Sequence, residues 1–140
     1  MAQLNPFLRF NDGKCREAMN FYKTIFGGEL SFMTTGESPT AKDMPKEKHD
    51  LIMHSELTSK DLAFSGSDMM RDKAVIGDNV GMALNCKSED EIKTIFSKLK
   101  EGGEVFMEVE EAFWGALFGM VTDKYGVEWM LNFQKTPMKK

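Results

Sequence analysis

Phe21-Tyr22-Lys23-Thr24-Ile25-Phe26-Gly27-Gly28-Glu29 and Phe96-Ser97-Lys98-Leu99-Lys100-Glu101-Gly102-Gly103-Glu104 spell one pattern, Phe-x-Lys-x-x-x-Gly-Gly-Glu, at an offset of 75 residues from Phe21 to Phe96. In each copy a helix-like pattern stops at two glycines and gives way to a β-like one. Such self-similarity in a chain of 140 residues points to two copies of one structural module, because a repeated unit buries its apolar surface best against its twin.

Working outward from the first copy, Ala18, Phe21, Tyr22 and Ile25 fall at i, i+3, i+4 and i+7, one apolar stripe of a helix closed by Gly27-Gly28. Ahead of it, Asn11-Asp12-Gly13 supplies turn and N-cap chemistry after a short strand at Asn5 to Phe10. Behind it, Glu29 to Thr34 reads as a strand, and Thr35 to Asp50 as a long polar loop. Leu51 to Leu57 and Asp61 to Ser65 are two further strands joined by a turn at Thr58-Ser59-Lys60. The second copy repeats the order. A strand at Asn79 to Cys86 precedes an S-x-x-E capping box at Ser88 and Glu91, a stripe of Ile92, Ile95, Phe96 and Leu99, and strands at Glu104 to Val109, Leu117 to Asp123 and Val127 to Phe133. Each half therefore reads βαβββ, and the fold class is α+β: one domain of two modules, about 4–67 and 79–134, whose sheets enclose a cup-shaped cleft as the default ligand site.

Composition narrows the partners. Eighteen Lys and Arg face 22 Asp and Glu, a net charge of -4, and no basic run precedes the tail lysines. That balance argues against nucleic acid. No span of apolar residues approaches membrane length and no leader pattern is seen, so a soluble, cytoplasmic protein is expected. Cys15 and Cys86 lack CxxC spacing and suit free thiols in a reducing compartment. A glycine-rich cofactor turn after a strand, a P-loop, a nucleophile elbow and an H-E-x-x-H motif are all missing from the sequence.

The tandem order, Cys15-Arg16-Glu17-Ala18-Met19-Asn20-Phe21-Tyr22 before Gly27-Gly28, and the closing run from Phe113-Trp114-Gly115 to Trp129-Met130-Leu131-Asn132 resemble the vicinal oxygen chelate superfamily of glyoxalases, bleomycin- and fosfomycin-resistance proteins and extradiol dioxygenases. Within it the chain is most similar to the PhnB-like group, also labelled 3-demethylubiquinone-9 3-methyltransferase-like. The resemblance implies a homodimer. It also implies a cup in which metalloenzymes of the superfamily hold a divalent metal by His and Glu on the first and last strands of each module. Matching through Phe21-Tyr22 puts the first ligand position near Phe7, which the offset of 75 carries to Met82; matching through Asp123-Lys124-Tyr125-Gly126 puts the last near Met130, with its partner in the first module near Phe64. None offers a metal donor, so no cofactor is expected and a divalent metal is the disfavoured reading.

Residues for other chemistry remain. Alternation along Ile52-Met53-His54-Ser55-Glu56-Leu57 places Ile52, His54 and Glu56 on one strand face, where His54 and Glu56 could serve as a catalytic general-base pair or as ligands of an unusual metal site; a polar surface stripe is the plainer reading. Cys15 near a helix start could be an activated thiol, although simple packing is favoured. Arg9 and Arg71 could meet an anion, and Trp114, Phe118, Trp129 and Phe113 could wall an apolar ligand or pack in the core. The expected function is binding of a small apolar or weakly anionic molecule without metal, lined by Phe7, Phe64, Met82, Trp114, Phe118 and Met130. The alternatives are a lyase, transferase or dioxygenase-like enzyme using His54 and Glu56, and a structural or regulatory dimer without ligand.

Overall fold

A computed structural model describes residues 2–135. The chain divides between Val75 and Ile76 into two compact units. Unit one runs β1 (Phe7–Phe10), α1 (Cys15–Phe26), β2 (Glu29–Thr34), β3 (Ile52–Ser59) and β4 (Leu62–Asp68). Unit two runs β5 (Met82–Asn85), α2 (Glu89–Leu99), β6 (Glu104–Glu111), β7 (Ala116–Thr122) and β8 (Glu128–Gln134). Each holds a mixed four-stranded sheet, ordered β1-β4-β3-β2 and β5-β8-β7-β6, in which only the first-listed pair is parallel.

In unit one α1 buries Cys15, Ala18, Met19 and Tyr22 against the sheet, each large apolar side chain contributing roughly 1.5–3 kcal/mol by leaving water. Its covered sheet face is marked by Phe64, Leu57 and Phe10, all buried, and by Gly66, where an added Cβ would lie 2.9 Å from Phe10 and 3.3 Å from Met19. The N-cap differs from expectation. Lys14 holds that position and no side chain of the Asn11-Asp12-Gly13 turn caps the helix; instead the buried Asp68 carboxylate on β4 accepts from the Cys15 backbone N–H at 2.9 Å and from that of Ile52 at 2.8 Å. A strand end thus satisfies an orphan donor of the helix, which no local pattern could announce.

In unit two the cap is local. Ser88 Oγ accepts from Glu91 N–H at 3.0 Å, and Glu91 reaches back to the N–H of Lys87 at 2.8 Å rather than to Ser88 itself. Ile92, Phe96 and Leu99 are buried under the sheet face that carries Val121, Trp129 and Leu131. Gly119 lets Phe96 approach that face, an added Cβ falling 3.0 Å from its ring.

The long polar segment after β2 is more ordered than its composition suggests. It forms three single-turn 3₁₀ helices, Thr35–Glu37, Ala41–Asp43 and Lys46–Lys48. His49 Nε2 lies 2.9 Å from the carbonyl of Ala41 and 3.1 Å from that of Met44, so one ring N–H shared between them pins the segment. β3 and β4 extend further than expected, leaving only Lys60 and Asp61 between them, whereas β5 is shorter because its ladder with β8 begins at Met82.

Both glycines of the repeated pair have distinct work. Gly27 and Gly102 take positive φ, 70° and 71°; Gly27 is the C-cap of α1, whereas α2 ends earlier than expected, at the C-cap Lys100, and Gly102 lies in the turn beyond it. Gly28 and Gly103 lie against neighbouring backbone: a Cβ would fall 2.4 Å from the carbonyl oxygen of Thr58 and 2.2 Å from that of Thr122. The motif recurs because each module needs a positive-φ residue between helix and strand, followed by a backbone-to-backbone approach.

Candidate functional site

In each unit the helix covers one sheet face, and the register identifies the residues on the other, open face. In unit one Phe7 pairs with Ser65 and Arg9 with Ser67 across β1 and β4, Glu56 pairs with Ser65 across β3 and β4, and Met33 pairs with His54 across β2 and β3. All lie opposite to the face of Phe64 and Gly66, since neighbours along a strand alternate. The Phe7 ring is 6.3 Å from the His54 ring, and the Arg9 guanidinium carbon is 5.6 Å from the Phe7 centroid.

His54 and Glu56 are exposed and share this face. Ile52 does not join them. A bulge between the pairs Met33–His54 and Thr34–Ile52 inserts Met53 as an extra residue, so Ile52 turns inward and is 1% exposed. Glu56 accepts a hydrogen bond from the Thr58 hydroxyl at 3.3 Å. The imidazole of His54 makes no hydrogen bond among the described residues. The two side chains are therefore neighbours without being joined as acid and base.

Phe64 lies elsewhere than expected. It is buried on the α1 side, with ring centroids 5.5 Å from Tyr22 and 6.4 Å from Phe26, both edge-on. It belongs to the core of the unit, and Ser65 takes the open-face place beside Phe7. Met82 is displaced for a related reason. It pairs with Trp129, which is buried on the α2 side, so the adjacent Ala83 is the residue that shares Met130's open face. The buried helix positions Ala18 and Tyr22 recur as Ile92 and Phe96, an offset of 74, whereas the glycine pairs recur at 75 because Lys100 and Glu101 intervene after α2. A ruler taken from the glycines is one residue too long ahead of the helix, and one residue reverses the face.

The open face of unit two does gather expected residues. Met130 pairs with Met120, and Phe118 pairs with Asn132. Trp114 lies 5.4 Å from the Phe118 ring, nearly perpendicular, and its indole N–H donates to Asn132 Oδ1 at 3.3 Å. All four apolar side chains are half-buried. Trp129, by contrast, is core, and Phe113 stands 97% exposed at the turn tip. A separate cavity of about 210 Å³ is lined by Glu111, Ala112, Gly115, Ala116 and Lys135, with Glu111 and Lys135 ion-paired at its edge; it includes none of the expected site residues.

Among the described residues no three His, Cys, Asp or Glu side chains converge as a metal-binding group. The open-face residues at these places on the first and last strands are Phe7, Ser65, Ala83 and Met130, a set that does not fit the His and Glu shell of a divalent cation.

Cys15 is fully buried, its Sγ 3.5 Å from the Ser55 hydroxyl. Burial is the largest influence on the thiol and pushes it up to about 11, with the Ser55 hydrogen bond acting against that and Asp68 adding to it. The helix start does not activate it. We expect Cys15 in the native protein to resist iodoacetamide at pH 8 and to react fully in denaturant, a result read by mass spectrometry. Because the folded thiol titrates above its unfolded value of 9.0, its contribution to stability is complete below pH 9 and is lost as pH rises towards 11. Rapid labelling of the native protein would contradict this. Cys86, half-buried beside Glu91, is likewise raised to about 11.

No helix among the described residues is long and apolar enough to cross a membrane. With the geometry in hand, comparison places the chain among known proteins. The family model for 3-demethylubiquinone-9 3-methyltransferase matches residues 2–132. Protein YjdN of Escherichia coli is 30% identical over 94% of this chain and 95% of its own length. Protein PA1353 from Pseudomonas aeruginosa superposes with TM-score 0.86 at 36% identity, covering 97% of this chain and 100% of that one. A PhnB protein from Bacillus cereus gives 0.77 at 27% identity over 94% and 99% of the two chains. The fosfomycin resistance protein FosX from Listeria monocytogenes, at 14% identity over 96% and 94%, shares the fold with TM-score 0.64. With a glyoxalase/bleomycin resistance fold and a family match along nearly its whole length, the chain belongs to the PhnB-like 3-demethylubiquinone-9 3-methyltransferase family.

Proposed function

We propose that the protein binds a small apolar or weakly anionic organic molecule on its open sheet surfaces, without a metal, and acts as a homodimer. The observation that carries this reading is the half-buried lining of unit two, where Trp114 and Phe118 meet edge to face and Met120 pairs with Met130. Aromatic rings give apolar area at low entropic cost, and thioethers adapt to irregular partners. Burying such a face against a ligand is favourable by roughly 25 cal/mol per Å² before the costs of association. The family's methyltransferase label finds no counterpart in the chain's own glycine pairs, since each lies between a helix and the following strand rather than in a turn from a strand into a helix.

The test is a thermal-shift screen against hydrophobic metabolites and their carboxylates. We expect stabilising compounds whose effect falls by at least half in Phe118→Ser, a change at a half-buried open-face position, while the protein stays folded by circular dichroism. A screen with no stabilising compound would reject the proposal. His54 and Glu56 support a second reading, an enzyme using an exposed imidazole, because they share a face beside Phe7. Elemental analysis separates it in part: stoichiometric metal lost in His54→Ala would favour the enzyme and count against the metal-free binder.

A further inference from the structure

The polar groups on the open face of unit one carry a more specific assignment. One phenyl ring, Phe7, contacts both the His54 imidazole and the Arg9 guanidinium. Stacking on the ring holds the guanidinium in place. Among the described residues, neither the Arg9 fork nor the His54 ring has a hydrogen bond or an ion pair, and the hydroxyls of Ser65 and Ser67 also have no partner. Ser67 stands in register with Arg9, and Ser65 with Phe7. A planar donor fork, an imidazole and two hydroxyls thus sit together with their hydrogen-bonding capacity unspent.

That set suits an oxyanion, and the surrounding charge decides which kind. Glu56 lies on the same face opposite Ser65, so an incoming anion meets one carboxylate as well as the Arg9 cation. A dianion such as phosphate would meet this repulsion with a single permanent cation to oppose it. A monocarboxylate needs only one fork, which the guanidinium matches in a bidentate manner. The same face exposes apolar surface next to these donors: Phe7 is 44% exposed, and Met33, opposite His54, is 37% exposed.

We infer that the open face of unit one is a site for an organic monocarboxylate with an apolar body. Arg9 receives the carboxylate, His54 and the Ser67 hydroxyl complete its hydrogen bonds, and the body rests on Phe7 and Met33. This rests on the reading that the protein binds a small organic molecule, and it narrows that reading to one chemical class on one face.

The experiment is an NMR titration of the full chain with phenylacetate, its neutral isostere phenylacetamide, and inorganic phosphate. It compares the natural protein with Arg9→Met, which keeps the apolar stem, and Ser67→Ala; an otherwise unchanged amide spectrum verifies that each variant is folded. Phenylacetate is expected to shift signals on β1, β3 and β4 and to bind at least ~10-fold more tightly than either other probe, as loss of one charge-assisted pair implies. Arg9→Met should remove that ~10-fold preference, so that acid and amide bind alike, and Ser67→Ala should reduce it in the same direction. Equal binding of acid and amide, tighter binding of phosphate, an Arg9→Met protein that holds phenylacetate as well as the natural one, or no binding of phenylacetate would each overturn the carboxylate site. If the hydrophobic screen still finds stabilising compounds in any of those cases, the broader binding reading stands; if the screen also finds none, that reading fails separately.

Discussion

Gly103→Ala is expected to lower stability by roughly 3 kcal/mol or more, while Gly27→Ala costs about 1 kcal/mol, although the two glycines occupy adjacent places in the same repeated motif. The difference follows from what a methyl group would meet. At Gly27 an added Cβ has nothing within 4 Å, and only the positive φ of 70° opposes it. At Gly103 it would stand 2.2 Å from the carbonyl oxygen of Thr122 and 3.0 Å from the Cα of Asp123, and backbone at the end of β7 cannot swing aside as a side chain can. Gly28→Ala should match or exceed Gly103→Ala, because its Cβ would lie 2.4 Å from the Thr58 oxygen and its φ is 91°. In thermal denaturation the second-position changes should lower Tm by about 10 °C or more. A Gly103→Ala protein melting within about 2 °C of the natural one would show that the close approach is not needed.

Asp123→Ala should be comparably damaging, at roughly 3–5 kcal/mol. The carboxylate is 3% exposed and braces the β7–β8 turn, accepting from the N–H of Tyr125 at 2.8 Å, from that of Val127 at 3.1 Å and from the indole of Trp129 at 2.8 Å. Alanine would leave the buried indole N–H without its acceptor and free the turn. Asp123→Asn should recover part of the loss, since its one carbonyl oxygen can serve the turn or the indole but not both. Trp129→Phe should cost less than Asp123→Ala, and the double variant should show a coupling of about 1–2 kcal/mol in denaturant melts. Additive single effects would mean that the indole hydrogen bond contributes little.

Much of the architecture could be read from the chain because it is written in local periodicity. The stripes over Ala18 and Tyr22 and over Ile92 and Phe96, the glycine stops, and the Ser88 cap are all relations between residues a few places apart. The candidate site was less legible. Phe7, Met130, Trp114 and Phe118 lie on open faces, but Phe64 and Met82 lie on the covered ones. Face depends on parity along a strand, so an error of one residue in matching a glycine pair to a helix stripe is enough to exchange core for site. The Met53 bulge has the same effect within β3, separating Ile52 from His54 despite their spacing.

The sequence by itself determined that two βαβββ units follow one another, because that order is a property of residue type and short-range periodicity. Only the tertiary structure decided that Asp68 caps α1 from across the sheet, that Cys15 is sealed rather than activated, and that Arg9, His54, Ser65 and Ser67 gather around Phe7. Those relations join residues tens of positions apart through strand register, which is fixed when the helix face is buried and is not carried by any local stretch of chain.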